Sequence, residues 1–133
     1  MTFNQFTVKS QEAVQQAQTI ALTNGQQAID TGHLLKALLE VDENVVPFLL
    51  KKVNVNLPAF KKQLDTIVNG YPKISGGNPY LSNELNAAFQ NATSLLKEYK
   101  DEFVSVEHLL LALLNGKDAI SRLLKENGVS EKD

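Results

Sequence analysis

A chain of 133 residues, 43% hydrophobic and 21% charged, is long enough for one compact domain that hides roughly two-thirds of its unfolded surface. Its 13 Lys+Arg against 15 Asp+Glu, with the lysines scattered, offer no basic field to a phosphate backbone, so nucleic acid is not an expected partner. The absence of cysteine excludes disulfide frameworks, thiolate metal sites and cysteine nucleophiles, and no apolar run reaches membrane-spanning length.

The opening "MTFNQFTVKSQE" lacks the basic-then-apolar order of a signal peptide, so a cytoplasmic protein without a membrane partner is expected. After Thr7, the residues Ala13, Val14, Ala17, Ile20 and Ala21 recur at three- and four-residue steps and Gly25 follows, which predicts a first helix. Asp30 caps a second through Glu40, Pro47 sits in the first turn of a third reaching about Lys52, and Asn56-Leu57-Pro58 opens a fourth ending at Asn69-Gly70. Strand signals are nearly absent. The segment "GYPKISGGNPY" holds three of the seven glycines and two of the four prolines, and reads as a connector. Beyond it Ser82 caps a helix to about Tyr99, Ser105 caps another to Asn115, and a third spans about Asp118 to Lys125 before Asn127-Gly128.

The octets "HLLKALLE" from His33 and "HLLLALLN" from His108 show that the second series repeats the first. The offset of 75 between the two histidines also pairs Thr7 with Ser82, Val14 with Phe89, Ala17 with Ala92, Ile20 with Leu95, Ile29 with Val104 and Asp30 with Ser105. One deletion changes the offset to 74, after which Leu49-Leu50-Lys51 meets Leu123-Leu124-Lys125 and Asn56 meets Ser130. The pattern predicts an all-α fold: a tandem repeat of two pseudo-symmetric four-helix units packed about a pseudo-two-fold axis. Repeat one covers 6–69, the connector 70–80 and repeat two 81–133, together a single domain over 1–133. The counterpart of the helix "LPAFKKQLDTIVN" would start at Ser130, so the last helix is expected to be cut off at its cap, with the polypeptide continuing beyond Asp133.

Chemistry-bearing motifs are sparse. Each histidine falls three residues after a cap and just before a leucine run, where a ring packs at the helix start and bonds locally. No H-x-x-x-H or H-E-x-x-H spacing occurs, so no metal site is predicted. Gly116-Lys117 is followed by Asp118 and lacks the earlier glycine of a phosphate loop, and neither a G-x-S-x-G turn nor a convincing carboxylate pair is present. The chain reads as neither an enzyme nor a cofactor carrier.

The twin units, the opening "FTVKSQEAVQQAQ", the stretches "TGHLLKALL" and "VEHLLLALL" and the connector "YPKISGG" resemble the N-terminal domain of the Clp ATPases, the double Clp-N motif, most closely its ClpB-type disaggregase branch. The resemblance covers essentially the whole chain. It implies a domain that leads a hexameric machine of AAA+ rings, with ATP and Mg bound in those rings and not in this chain. It also implies partners: unfolded or aggregated polypeptides, the rings of the same parent chain and, for the parent, a DnaK-type chaperone system. The isolated domain is expected to be monomeric. The resemblance carries over Thr7, Ser82, Asp101 and Glu107 as substrate-binding positions, and Phe89 and Leu95 as groove positions on the helix from Ser82 to Tyr99, while Asn91 and His108 stand where the family places leucine.

The same residues have structural readings. Thr7 and Ser82 are helix caps, Glu107 favours the positive end of a helix dipole, and Phe89 and Leu95 suit the core of an amphipathic helix. Asp101 and Glu107 align with Gln26 and Gly32, so neither acid has an acidic counterpart in the first repeat. Two other readings stay open. One is the N-domain of a Clp protease ATPase, in which adaptors or phosphorylated arginine are recognised by a Gly-Thr-Glu-His element in each repeat. The elements here read Asp30-Thr31-Gly32-His33 and Ser105-Val106-Glu107-His108, and the first lacks the acid that would pair a guanidinium. The other is a freestanding helical scaffold.

Overall fold

The computed structural model describes residues 3–74 and 77–130, and its helices start where a side-chain oxygen is available to accept from their first N–H groups. α1 (Val8–Thr23) is capped by Thr7, α2 (Thr31–Val41) by Asp30, α4 (Leu57–Asn69) by Asn56, α5 (Asn83–Tyr99) by Ser82, α6 (Val106–Leu114) by Ser105 and α7 (Ala119–Glu126) by Asp118. Each such cap satisfies donors that a helix start otherwise leaves unpaired. α3 (Val45–Lys52) departs from the rule, because its flanking Asn44 makes no capping bond. The carboxylate of the buried Asp42 takes its place, accepting from the N–H groups of Asn44, Val45 and Val46 at 3.3, 3.2 and 2.7 Å.

Two short strands, β1 (Ala28–Ile29) and β2 (Tyr80–Leu81), pair in parallel with Ile29 opposite Leu81. A single parallel bridge joins Phe6 to Val104. The 75-residue offset carries Phe6 onto Leu81 and Ile29 onto Val104, so these two contacts are one contact used twice with the copies exchanged. The hydrogen bonds repeat as well: Thr7 N–H donates to Val104 O at 3.0 Å and Ser82 N–H to Ile29 O at 2.9 Å. The segment entering the first helix of each copy therefore lies along the segment entering the second helix of the other, as a pseudo-two-fold requires. Two-residue strands leave no alternation to read in a sequence.

The core is built around the two leucine octets. Leu34, Leu35 and Leu38 of α2 and Leu109 and Leu113 of α6 are fully buried, with α1 against α2, α5 against α6, and α2 meeting α6 across the middle. α4 covers α2 with Phe60, Leu64 and Val68, all buried. Among the described residues no helix is long and apolar enough to cross a membrane. The anticipated cap of an eighth helix, Ser130, is the last residue described, so the cut-off helix lies outside the described residues.

One close approach sets a residue choice in the first copy. Gly32 N–H donates to the Tyr71 hydroxyl at 3.2 Å, and a Cβ on Gly32 would lie 2.6 Å from that oxygen and 3.0 Å from Val68 Cγ2. Gly32→Ala is expected to lower stability by about 1–3 kcal/mol through overpacking. Adding Tyr71→Phe is expected to return part of that loss, and urea denaturation of the single and double variants measures both.

Candidate functional site

Both histidines close capping boxes. His33 Nδ1 accepts from Asp30 N–H and His108 Nδ1 from Ser105 N–H, each at 2.9 Å. Because Nδ1 accepts in both rings, the ring proton sits on Nε2 and donates outward. His33 Nε2–H reaches Gln26 Oε1 at 2.6 Å, whose amide nitrogen donates on to Val68 O at 2.7 Å. His108 Nε2–H reaches Asp101 Oδ2 at 2.9 Å. Gln26 and Asp101 occupy the same position of the repeat, so Asp101 has a chemical counterpart although it has no acidic one. Both copies need an oxygen for the ring N–H. His33 and Gln26 are buried and a carboxylate there would be a buried charge, whereas Asp101 is half-exposed and stays solvated. Burial, opposed by nearby Asp30 and aided by Lys36, lowers the His33 pKa to about 4. Burial likewise raises that of Tyr71 above the usual phenol range. Among the described residues no three His, Asp or Glu side chains are grouped so as to hold a metal ion.

The capping oxygens also join the copies. Thr7 Oγ1 accepts from Ser10 N–H and donates to Ser10 Oγ, whose own proton goes to Val104 O at 2.9 Å. Ser82 Oγ accepts from Leu85 N–H and donates to Asp30 Oδ1, both at 3.0 Å. Thr31 Oγ1 donates to Asp118 Oδ2 at 2.7 Å, so the starts of α2, α5 and α7 are tied to one another. Ser82 thus acts as a cap and a cross-link and is buried, whereas Thr7 caps α1 and holds Ser10, which makes the cross-link.

Glu107 differs in being exposed. It stands in the first turn of α6 at the mouth of a cleft of about 170 Å³ whose apolar lining includes Leu49, Val53, Leu110, Leu111, Leu114 and Val129. The offset maps this face of α6 onto the face of α2 that α4 covers, where Gly32 lies under Tyr71. Phe89 and Leu95, expected along a groove wall, are instead only 1% and 3% exposed. Leu85, Ala88, Phe89, Ala92, Leu95 and Leu96 form the buried face of α5, and the Phe89 ring meets Phe3 and Phe6 edge-on at 5.4 and 5.7 Å. In this structure both residues belong to the core.

A groove of about 680 Å³ lies between α5 and the turn joining α6 to α7. Ala87, Ala88, Ala112, Leu113 and Ala119 make its apolar part; Asn83, Glu84 and Asn91 stand on the α5 side, and Asn115, Lys117 and Arg122 on the other. Asn115 Nδ2 donates to Asn91 Oδ1 at 3.2 Å across one end. The sequence reading missed this groove. Its signal was a mismatch between the copies, Ala87 standing where the first repeat has Glu12, which pairs there with Lys9 at 3.8 Å.

Comparison with known proteins places the arrangement. The family model described as the Clp repeat (R) N-terminal domain matches residues 5–127. The chain is 47% identical over 133 residues to the chaperone protein ClpB of Bacteroides thetaiotaomicron, covering 100% of this chain and 15% of that protein. It is 41% identical over 132 residues to the chaperone protein ClpB of Porphyromonas gingivalis, covering 99% of this chain and 15% of that protein. The Hsp104 N-terminal domain from Candida albicans has the same fold, with a TM-score of 0.80 at 21% identity over 96% of this chain and 84% of that one. The chain therefore spans about 15% of the length of the curated relatives it matches.

Two outcomes follow from the buried brace and the buried ring. Between pH 6.5 and about 4 the unfolded chain binds one more proton than the folded one, so stability is full above that window and falls through it on acidification. The loss attributable to His33 is about 3 kcal/mol; His33→Gln is expected to flatten that slope in denaturation curves taken across the window. Phe89→Ala is expected to cost about 3–5 kcal/mol by leaving a cavity, whereas the exposed Glu107→Ala changes stability by about 0.5 kcal/mol or less, both read from the same denaturation curves.

Proposed function

Because the chain belongs to the Clp repeat N-terminal domain family, we propose that it is the substrate-recognition domain of an ATP-dependent protein disaggregase. It binds exposed apolar segments of unfolded or aggregated polypeptides and passes them to AAA+ rings of the same parent chain. ATP hydrolysis belongs to those rings, and a DnaK-type chaperone system assists the parent in the cytoplasm. The likeness to ClpB chaperones over the whole chain supports this reading.

The observation that carries it is the open groove beside α5. Unfolded clients share no sequence, only apolar side chains and unpaired backbone, so their receptor needs an apolar floor and adaptable polar groups. The alanines supply the floor. The bond between Asn115 and Asn91 leaves the Asn91 amide hydrogens and the Asn115 carbonyl directed to other partners, which suits a peptide backbone that offers one acceptor and one donor per residue. Affinity for any one segment is weak, and tolerance of sequence is the gain. The phosphoarginine reading loses support in the first copy, where position 32 has no acid and its N–H is taken by Tyr71.

Fluorescence anisotropy of a labelled, permanently unfolded protein titrated with the chain tests the proposal. Ala87 is exposed, so Ala87→Gln lays a neutral side chain across the floor without disturbing the core. It is expected to weaken binding about tenfold while the melting temperature holds. Unchanged binding in that variant, or binding of the parent sequence only to a folded adaptor, overturns the assignment.

A further inference from the structure

We infer that the groove prefers client segments in which a small aliphatic residue is flanked by Asp or Glu, the acid pairing with Lys117 and Arg122; this deepens the client-binding reading and rests on it. The charges around the groove differ in what they are free to do. Asp118 is committed: its Oδ1 accepts from Ser121 N–H at 3.0 Å and its Oδ2 from Thr31 Oγ1 at 2.7 Å. Glu84 sits in the first turn of α5, where the helix dipole already stabilises it. Lys117 and Arg122 are exposed and enter no ion pair among the described residues. Arg122 lies in the first half of α7, near the end of a helix that favours anions and not cations.

The two copies show that the repeat does not require this arrangement. Arg122 stands where the first copy has Phe48, Glu84 where it has Lys9, and Ala87 where it has Glu12. The frame of caps and leucines is retained while this one face has changed its charges and lost its bulk. A ligand that fills the floor next to the α7 side meets two cations, neither ion-paired among the described residues, beside an Asp118 whose oxygens are taken by Ser121 N–H and the Thr31 hydroxyl, and a guanidinium pairs a carboxylate in two-pronged fashion. The alanine floor has room for a short aliphatic side chain beside that pair. An acid on the opposite flank would meet Glu84, so the groove also sets the direction in which a segment lies.

Three labelled peptides of equal length test this, with Asp and Glu, Ser, or Lys and Arg flanking the same short aliphatic core. The chain is expected to bind the acidic peptide about tenfold tighter than the basic one, with the preference shrinking as salt rises. Lys117→Glu with Arg122→Glu is expected to reverse the order at unchanged melting temperature. Equal affinity for all three peptides, a preference that survives the double variant, or displacement of the acidic peptide by equimolar inorganic phosphate overturns the inference. If the Ser peptide binds as well as the acidic one and Ala87→Gln weakens both, the acid preference falls and client binding stands. If neither the peptides nor an unfolded protein binds the parent sequence, both fall.

Discussion

Two leucine-rich helices have to be buried against each other, and burying their sides draws their starts wholly or partly out of water as well. A helix start brings unpaired N–H groups with it, and leaving such donors without partners away from water costs about 1–3 kcal/mol each. Both octets meet this demand in the same way, with a capping oxygen and a histidine whose Nδ1 accepts the N–H of the cap itself. The ring then needs an acceptor on its far side, supplied by Gln26 in one copy and Asp101 in the other. The histidines are thus the joint between core packing and backbone satisfaction.

That joint also organises the rest of the molecule. Asp30, capping α2, receives the Ser82 hydroxyl that caps α5, and Thr31 beside it donates to Asp118, which caps α7. Three helix starts share one polar node, and the exchanged parallel contacts at Phe6–Val104 and Ile29–Leu81 hold the copies in register around it. Substitutions at Thr7 or Ser82 act on this frame, so any change in binding they cause includes a change in the scaffold. Glu107, Lys117 and Arg122 are exposed and lie outside it.

Divergence within the duplication separates scaffold from surface. The first copy is closed: Tyr71 and Val68 press on Gly32, and α4 lies over α2. The second copy keeps the caps and the leucines, yet it opens an acid-edged cleft at Glu107 and an alanine-floored groove beside α5. Positions that match between copies hold the fold, and those that differ shape what the surface presents to a client.

The sequence by itself determined the helix starts, the duplication and the family resemblance, because caps, apolar spacing and the offset of 75 residues are local or periodic and survive in one dimension. Seven helices among the described residues lie where those signals put them. Tertiary structure decided the rest. The parallel strand pairs are two residues long or a single bridge, below any readable period, and the Asp42 cap acts from outside the usual capping position. Phe89 and Leu95 present the same apolar letters whether they wall a groove or fill a core, and only the packing of Phe3 and Phe6 and of neighbouring helices closed them off. The groove was hidden for the converse reason: an open space is made of side chains that are absent, and alanines mark one only after α5, α6 and α7 have been brought together.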